Sequence, residues 1–172
     1  MKWSKKKMRQ FQKISEEQWA KDIDGYEGAI AIIPRNNLLE PRRATKHSAG
    51  YDFISPIGIA VRGHETAKIP TGIKVAMEDG EVLMMYPRSS MGFNTNIRFA
   101  NTTGVIDADY YNNPQNEGHI WIIFYNPTDE DYYIKAGDKV AQGIFIKYLT
   151  VDNEEKIINE RTGGFGSTDK RI

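Results

Sequence analysis

The chain contains no cysteine and only three histidines among 172 residues. The first absence excludes disulfides, a thiolate nucleophile and cysteine-ligated metals. The histidines, His47, His64 and His119, share no metal-ligand spacing. The 23 basic residues balance the 23 acidic ones, so no global field favours nucleic acid or an anionic membrane. No apolar run approaches the roughly 20 residues of a membrane span, and the N-terminus lacks a signal peptide's apolar segment. We therefore expect one soluble, cytoplasmic domain with no membrane or nucleic-acid partner, in which any anion site is local.

The central part of the chain consists of short apolar runs separated by turn signals. This rhythm is typical of an all-β sandwich, jelly roll or barrel. The predicted strands cover residues 29–33, 57–61, 66–69, 73–77, 82–86, 120–125, 132–134 and 140–149, within a domain of residues 28–150. Two polar stretches, 42–49 and 112–118, interrupt them as longer loops.

Both ends of the chain differ from this centre. Residues 1–27 form a basic extension with no β-rich run, and Ser15 with Gln18 resembles a capping box for a short helix over residues 16–23. We favour a packed appendage over a nucleic-acid arm here. Residues 151–172 are polar and end in a glycine-rich arm, which we expect to be flexible.

The stretch 101–111 combines a turn, a short strand and an acidic tip. Val105 and Ile106 are β-branched, so Asp107 is expected at the end of a strand. Tyr110 follows three residues later. A carboxylate on a stiff support beside an aromatic wall suits a general base that faces a ring-bearing substrate. The alternative is an aspartate that only forms a turn.

The glycine-rich arm has the composition of an anion clamp. Its glycines allow backbone N–H groups to converge on phosphate oxygens, while Ser167 and Thr168 add hydroxyl donors and Arg161 adds charge. Phe165 has little local core to join and could stack on a base. The alternative is a flexible end without a ligand.

Two further polar groups stand out from the predicted strands. Arg88 with Ser89 and Ser90 follows a strand directly and could form a phosphate fork or an ordinary surface turn. Gln142 lies within an apolar run, so its amide is bonded to a neighbouring backbone or directed at a ligand.

Five short blocks of the sequence, taken in order, resemble those of the trimeric, all-β dUTPases, the deoxyuridine 5'-triphosphate nucleotidohydrolases. The blocks are residues 49–53, 87–92, 101–110, 137–142 and 161–168. The resemblance implies a jelly-roll or distorted-barrel subunit of phage or bacterial origin, and a homotrimer with shared active sites. It implies hydrolysis of dUTP to dUMP and pyrophosphate, which limits uracil in DNA and supplies dUMP for thymidylate synthesis. It also implies Mg²⁺ held mainly by the triphosphate.

The resemblance further implies a role for each matching residue. Asp107 is expected to activate the attacking water, and Tyr110 to pack on the deoxyribose. Asp52 is expected to reach the metal region through water. The remaining positions are uracil-reading Asn101, Gly104, Val105 and Ile106; phosphate-contacting Arg88, Ser89, Ser90 and Gln142; and the lid residues Arg161, Phe165, Gly166, Ser167 and Thr168.

Departures from the family pattern leave other functions open. Tyr111 and the insertion 112–118 replace the usual Arg-Gly, and the N-terminal extension has no counterpart in the simplest members. Deoxycytidine triphosphate deaminases share the fold, but Ile123 occupies the position of their glutamate. A nucleotide sensor that binds a regulatory protein, as some phage members do, is the second alternative. A capsid-like jelly roll would not explain the five polar blocks.

Overall fold

The computed structural model describes residues 9–24, 26–155, 157, 161, 163 and 164. Within them the chain forms short strands, two α-helices and two 3-10 turns. The strands are β1 (Gln10–Lys13), β2 (Ala29–Ile32), β3 (Arg42–Arg43), β4 (Tyr51–Ile54), β5 (Ile57–Val61), β6 (Thr66–Pro70), β7 (Ile73–Ala76), β8 (Glu81–Pro87), β9 (Arg98–Phe99), β10 (Gly104–Asp107), β11 (Trp121–Tyr125), β12 (Tyr132–Ile134) and β13 (Lys139–Lys147). The helices are α1 (Glu16–Ile23) and α2 (Ser89–Thr95), and the 3-10 turns are Arg35–Asn37 and Ala108–Tyr110.

Antiparallel pairing organises the described strands into four sheets. The largest sheet has the order β10-β8-β13-β4-β3, and the others are β6-β11-β9, β12-β5-β2 and β1-β7. The prediction of an all-β, jelly-roll-like fold is confirmed. None of the helices that the structure describes has the length and apolarity needed to cross a membrane.

The core lies between these sheets and explains why the short apolar runs become strands. Along β11 every second residue is buried, and Phe124 contacts the ring of Phe99 edge-on, with centroids 5.3 Å apart. Phe53, Ile57 and Leu83 are also inaccessible to solvent, at 1% exposure or less. Burial of each such side chain contributes about 1.5–3 kcal/mol. This packing fixes β8, which pairs with β10 on one side and β13 on the other.

The N-terminal extension packs on this core, and it contains a strand that its composition did not indicate. Strand β1 pairs with β7, with Gln10 opposite Ala76. Phe11 is buried against the rings of Tyr51, Phe53 and Phe145. The segment has one apolar residue in four, so the free edge of β7 and the burial of one ring determine its conformation, and local propensity does not. Residues 1–8 lie outside the described part of the chain.

The predicted helix over residues 16–23 is confirmed as α1. The Ser15 hydroxyl accepts a hydrogen bond from the backbone N–H of Gln18 at 3.0 Å, as in a capping box. The second half of the box does not form. The Gln18 amide donates instead to Asp22 at 2.8 Å, and the Ser15 backbone N–H donates to Glu117 at 3.0 Å.

Helix α1 is attached to the domain through a buried histidine. His119 is fully buried, and its Nδ1 lies 2.6 Å from the Asp22 Oδ2. Its Nε2 accepts the Gly72 backbone N–H at 2.8 Å, so this nitrogen carries no proton and Nδ1–H is the donor to Asp22. Burial lowers the pKa of His119 despite the opposing effect of Asp22. Burial acts to raise the pKa of Asp22, but hydrogen bonds from His119 and Gln18 keep it below its usual value.

This arrangement predicts a loss of stability in mild acid. Below the ordinary histidine pKa of 6.5, the unfolded chain binds a proton on His119 that the folded chain excludes. The free energy of unfolding must therefore fall as the pH decreases below about 6.5. The lowered pKa of Asp22 adds a further loss only at lower pH, where this carboxylate is protonated. Thermal melts between pH 7.5 and 5 should show a decreasing Tm. Titration of the His119 ring by NMR at or above pH 6.5 in the folded protein would contradict this origin.

Candidate active site

A cleft of about 400 Å³ opens between β10 and β11, and we call it the hairpin cleft. It is lined by Met85, Phe99, Asn101, Gly104, Val105, Ile106, Asp107, Tyr110, Ile120, Trp121, Ile122, Ile123, Arg161 and Gly164. Among the described strands, β10 pairs only with β8 and forms the edge of its sheet. An edge strand presents unpaired backbone N–H and C=O groups. The hairpin cleft therefore combines apolar walls with one polar backbone edge.

Asp107 is the last residue of β10 and stands opposite Val82 on β8, as expected for a carboxylate on a stiff support. Its side chain is 48% exposed, and its Oδ2 lies 2.5 Å from the Arg161 Nη2. The Arg161 Nε also binds the Asp109 Oδ1 at 2.7 Å. The guanidinium lies 5.9 Å from the centre of the Tyr110 ring. Arg161, which was predicted to bind phosphates, is thus paired with the candidate base Asp107. Its contact with phosphate stays a prediction.

Tyr110 forms a fixed wall of the hairpin cleft. Its hydroxyl donates to the carbonyl oxygen of His119 at 2.9 Å and accepts from the Asn116 amide at 2.8 Å. The Asn113 amide donates to the Tyr110 carbonyl oxygen at 2.9 Å. Burial raises the pKa of Tyr110 above its usual range, so the phenol stays protonated. Tyr110 is therefore held both at its backbone carbonyl and at its hydroxyl, which fixes the position of the ring.

The turn that leads into β10 is strained. Thr102 adopts a φ of 66°, which is uncommon for a β-branched residue. The Thr103 backbone N–H donates to the Asn101 carbonyl oxygen at 2.7 Å. Such strain persists where the surrounding structure holds it, and it frequently marks functional turns. Here the turn holds Asn101 at the mouth of the hairpin cleft.

The other predicted phosphate contacts form a separate group at the far end of the same sheet. Asp52 is buried, and its two oxygens lie 3.3 Å from the Arg88 Nε and 2.8 Å from the Lys139 Nζ. Gln142 stands opposite both Asp52 and Tyr86 in the sheet, and its side chain lies against Gly50. Ser89 and Ser90 are exposed at the start of α2. We call Asp52, Arg88, Ser89, Ser90, Lys139 and Gln142 the Arg88 cluster.

Strand register shows how far apart the two groups lie. Asp107 is opposite Val82 and Gln142 is opposite Tyr86, so four residues of β8 separate them. At about 3.3 Å per residue this distance is roughly 13 Å along the sheet. One chain therefore brings together Asn101, Gly104, Val105, Ile106, Asp107, Tyr110 and Arg161, and leaves the Arg88 cluster outside the hairpin cleft. The predicted lid residues Phe165, Gly166, Ser167 and Thr168 lie outside the described residues.

The described carboxylates do not assemble a metal site. No group of three histidine, aspartate or glutamate side chains that could hold a metal ion occurs in the part of the chain that the structure describes. Both oxygens of Asp52 face cations, from Arg88 and Lys139. These residues do not fit a resident Mg²⁺, and the water-mediated role expected for Asp52 stays a prediction.

Several residues around the hairpin cleft were missed by reasoning from the sequence. Asp109 shares Arg161 with Asp107, and Asn113 and Asn116 hold Tyr110. The signal in the sequence was the pair Asn113 and Asn116, which lie three residues apart in the insertion that follows the tyrosines.

Comparisons with known proteins agree with the five-block resemblance. Residues 36–169 match the family model described as dUTPase. The deoxyuridine 5'-triphosphate nucleotidohydrolase of Lactococcus lactis subsp. lactis (strain IL1403) is 49% identical over 131 residues, which are 74% of this chain and 86% of that protein. The crystal structure of a dUTPase from Streptococcus mutans gives a TM-score of 0.68 at 36% identity, over 83% of this chain and 98% of that chain.

A more distant structural neighbour supports the fold alone. It is a mutant dUTPase from phage phi11 of S. aureus that coordinates a structural Mg(II) ion. Its TM-score is 0.62 at 22% identity, over 88% of this chain and 97% of that chain. The family match covers both the hairpin cleft and the Arg88 cluster. The chain therefore belongs to the dUTPase family.

Proposed function

We propose that this protein hydrolyses dUTP to dUMP and pyrophosphate in the hairpin cleft, with Asp107 as the base that activates the attacking water. The observation that carries the proposal is the position of Asp107 at the end of an edge strand, beside the fixed ring of Tyr110. Family membership supplies the reaction. The reaction would limit uracil incorporation into DNA and supply dUMP for thymidylate synthesis.

The edge of β10 suits recognition of uracil. Uracil presents an N–H donor with one carbonyl acceptor on each side, and an edge strand alternates N–H and C=O groups. Cytosine would present an acceptor and an amino group where uracil has a donor and an acceptor, and would leave backbone groups unpaired. The Tyr110 ring would then lie against the sugar. Because its hydroxyl is held by Asn116 and His119, it cannot move aside for a 2'-hydroxyl.

The chemical step requires a proton acceptor next to the α-phosphorus. In our proposal a water attacks this phosphorus, its proton passes to Asp107, and the bond to the bridging oxygen breaks to release pyrophosphate. A positioned base contributes about 10²–10⁴-fold in rate. Arg161 forms an ion pair with Asp107 in the described structure, so this pair must break before Asp107 can accept a proton from water. Phosphate oxygens accept a guanidinium fork as well as carboxylates do, so bound nucleotide can attract Arg161 and free the base.

The position of the Arg88 cluster favours a site completed by a second copy of the chain. Gln142 lies roughly 13 Å along the sheet from Asp107, at about 3.3 Å per residue, and Arg88 and Ser89 follow the end of β8 further in the same direction. The dUTPase family is trimeric, and we propose a homotrimer in which one subunit supplies the hairpin cleft and a neighbour supplies the Arg88 cluster. Mg²⁺ would enter as part of the substrate, on phosphate oxygens. A regulatory protein partner and a cytoplasmic location stay predictions.

Deamination is disfavoured by the wall of the same cleft. Ile123 lines the hairpin cleft from β11, and an aliphatic side chain cannot transfer a proton. The nearby Asn126 is fully buried, and its amide donates to the carbonyl oxygens of Val61 and Glu130 at 2.8 and 2.7 Å. These bonds indicate that Asn126 stabilises the local backbone.

A nucleotide panel tests the proposal directly. Purified protein with Mg²⁺ and dUTP, dTTP, UTP or dCTP should release pyrophosphate from dUTP with at least about 10²-fold preference. We expect dCTP to leave backbone groups of β10 unpaired, UTP to clash with Tyr110 through its 2'-hydroxyl, and dTTP to need space for its additional C5-methyl group. Pyrophosphate and ammonia are measured in the same reactions. Ammonia from dCTP would identify a deaminase, and binding of dUTP with no turnover would identify a sensor.

A further inference from the structure

The loop of residues 112–118, which we call the amide loop, joins parts of the molecule that are distant in sequence. On one side it is held by the N-terminal segment. The Ser15 backbone N–H donates to the Glu117 Oε2 at 3.0 Å, and the Ser15 hydroxyl donates to the other carboxylate oxygen. The Lys74 ammonium binds the same Glu117 at 3.0 Å. The neighbouring Tyr111 hydroxyl donates to the Gln12 amide oxygen at 2.6 Å. The N-terminal segment therefore braces the amide loop.

On its other side the amide loop holds the wall of the hairpin cleft. The Asn113 amide donates both to the Tyr110 carbonyl oxygen and to the Asn116 amide oxygen, at 2.9 and 2.8 Å. Asn116 in turn binds the Tyr110 hydroxyl. Gly118 has a φ of 81°, and a Cβ there would lie 2.5 Å from the Tyr110 carbonyl oxygen. The loop is thus packed directly on this tyrosine.

The C-terminal arm meets the amide loop at Gln115. The Gln115 Oε1 accepts the backbone N–H of Gly164 at 3.0 Å. A Cβ on Gly164 would lie 2.8 Å from the Tyr110 ring, and one on Gly163 would overlap the Gln115 amide oxygen. Only glycine can therefore approach this closely at Gly164, because the Tyr110 ring is held in place. A side chain at Gly163 would displace the Gln115 amide from its hydrogen bond. The paired glycines of the arm are fitted to Gln115 and Tyr110 in the same way that Arg161 is fitted to Asp107 and Asp109.

We propose that Gln115 is a positioning residue that docks the C-terminal arm across Tyr110 by accepting the Gly164 N–H. Docking places Arg161 at the mouth of the hairpin cleft, where it pairs with Asp107 and is available to an incoming phosphate. The catalytic consequence rests on the proposed dUTP hydrolysis, whereas the docking itself does not. The side chain acts through an oxygen acceptor, so a residue of equal length without that oxygen should fail and a carboxylate should succeed.

Gln115→Met and Gln115→Glu form the test pair. Gln115 is exposed, so neither change should prevent folding. The Arg161 side chain is 17% exposed in the docked arm, and trypsin must bind this side chain in order to cleave after it. Cleavage after Arg161, followed by mass spectrometry, should be several-fold faster in Gln115→Met and near the wild-type rate in Gln115→Glu. Gln10→Met, the same change at an exposed residue of β1, should cleave like wild type.

Steady-state kinetics provide the second readout. Loss of one hydrogen bond that holds the arm should raise the KM for dUTP by about 3- to 10-fold in Gln115→Met, with kcat within about 2-fold. Gln115→Glu should restore the wild-type KM. Equal cleavage rates in all variants would overturn the docking role, whatever the activity. If the wild-type protein proves inactive on dUTP, the proposed function fails, while the cleavage rates still decide whether Gln115 docks the arm.

Discussion

Replacement of Asp107 by asparagine should lower kcat for dUTP hydrolysis by about 10²–10⁴-fold and change the KM only a few-fold. The asparagine amide has the size of the carboxyl group and can still orient a water. It cannot accept a proton from that water at the moment of attack. The loss should therefore appear in the chemical step, as expected for an interaction made only in the transition state. Single-turnover measurements with excess enzyme would separate this step from product release.

The structure offers a matched control two residues away. Asp109 is 59% exposed and also binds Arg161, but it does not line the hairpin cleft. Asp109→Asn removes the same charge and one ion pair, so its kcat should fall by less than about 10-fold, the range expected for an exposed pair. Near-native turnover of Asp107→Asn together with an inactive Asp109→Asn would transfer the role of base to Asp109. Both residues are partly exposed, so neither change should alter the Tm by more than a few degrees.

The sequence was sufficient to predict the strand that ends at Asp107 because its signals are local. Val105 and Ile106 form a short β-branched run, and β10 ends at Asp107 as that run indicates. Tyr110 follows Asp107 by three residues, so the short connecting segment alone keeps the two residues close together. Strand β11 could be predicted for the same reason, since its five consecutive residues form one apolar run. A pattern that one segment carries alone is readable without knowledge of its neighbours.

Features that depend on distant segments could not be predicted in this way. Strand β1 has no apolar alternation of its own and forms because β7 offers an edge and the core accepts Phe11. Arg161 binds Asp107 across 54 residues, and no local pattern connects them. The separation of the Arg88 cluster from the hairpin cleft follows from the register of β8 with its two neighbours. Register is a property of a pair of strands, so a single run of residues does not specify it.

The insertion 112–118 shows a different kind of limit. Its polar composition correctly predicted a loop between Tyr110 and β11. Composition could not indicate that its amides bind Tyr110 and the arm, or that its Glu117 carboxylate binds the N-terminal segment. Each of these contacts requires a partner far away in the chain or a specific side-chain orientation. The two departures from the simplest family members, the extension and the insertion, are in fact packed on each other.

Deletion of the chain from Arg161 to the C-terminus should lower kcat/KM for dUTP by about 10²-fold or more, because a positioned cationic donor alone is commonly worth about 10²–10³. Folding should be preserved. The buried core and the residues packed against it lie between Phe11 and Phe145, so the Tm should stay within a few degrees of wild type. Deletion from Asp169 onward removes the last residues but keeps the fifth block, and this shorter deletion should retain near-native kinetics.

The direction of the effect distinguishes two roles for Arg161. In the described structure it neutralises Asp107 and Asp109, and a residue that only blocked the base would make the truncated enzyme faster than wild type. In our proposal the same guanidinium transfers to the substrate phosphates, so its removal slows the reaction even though Asp107 becomes free. Arg161→Lys keeps the charge but loses the fork that holds two oxygens at once, and its kcat/KM should fall between wild type and the truncation. An increase in kcat/KM after truncation would show that the pairing with Asp107 is inhibitory, and it would remove Arg161 from the group of phosphate-binding residues.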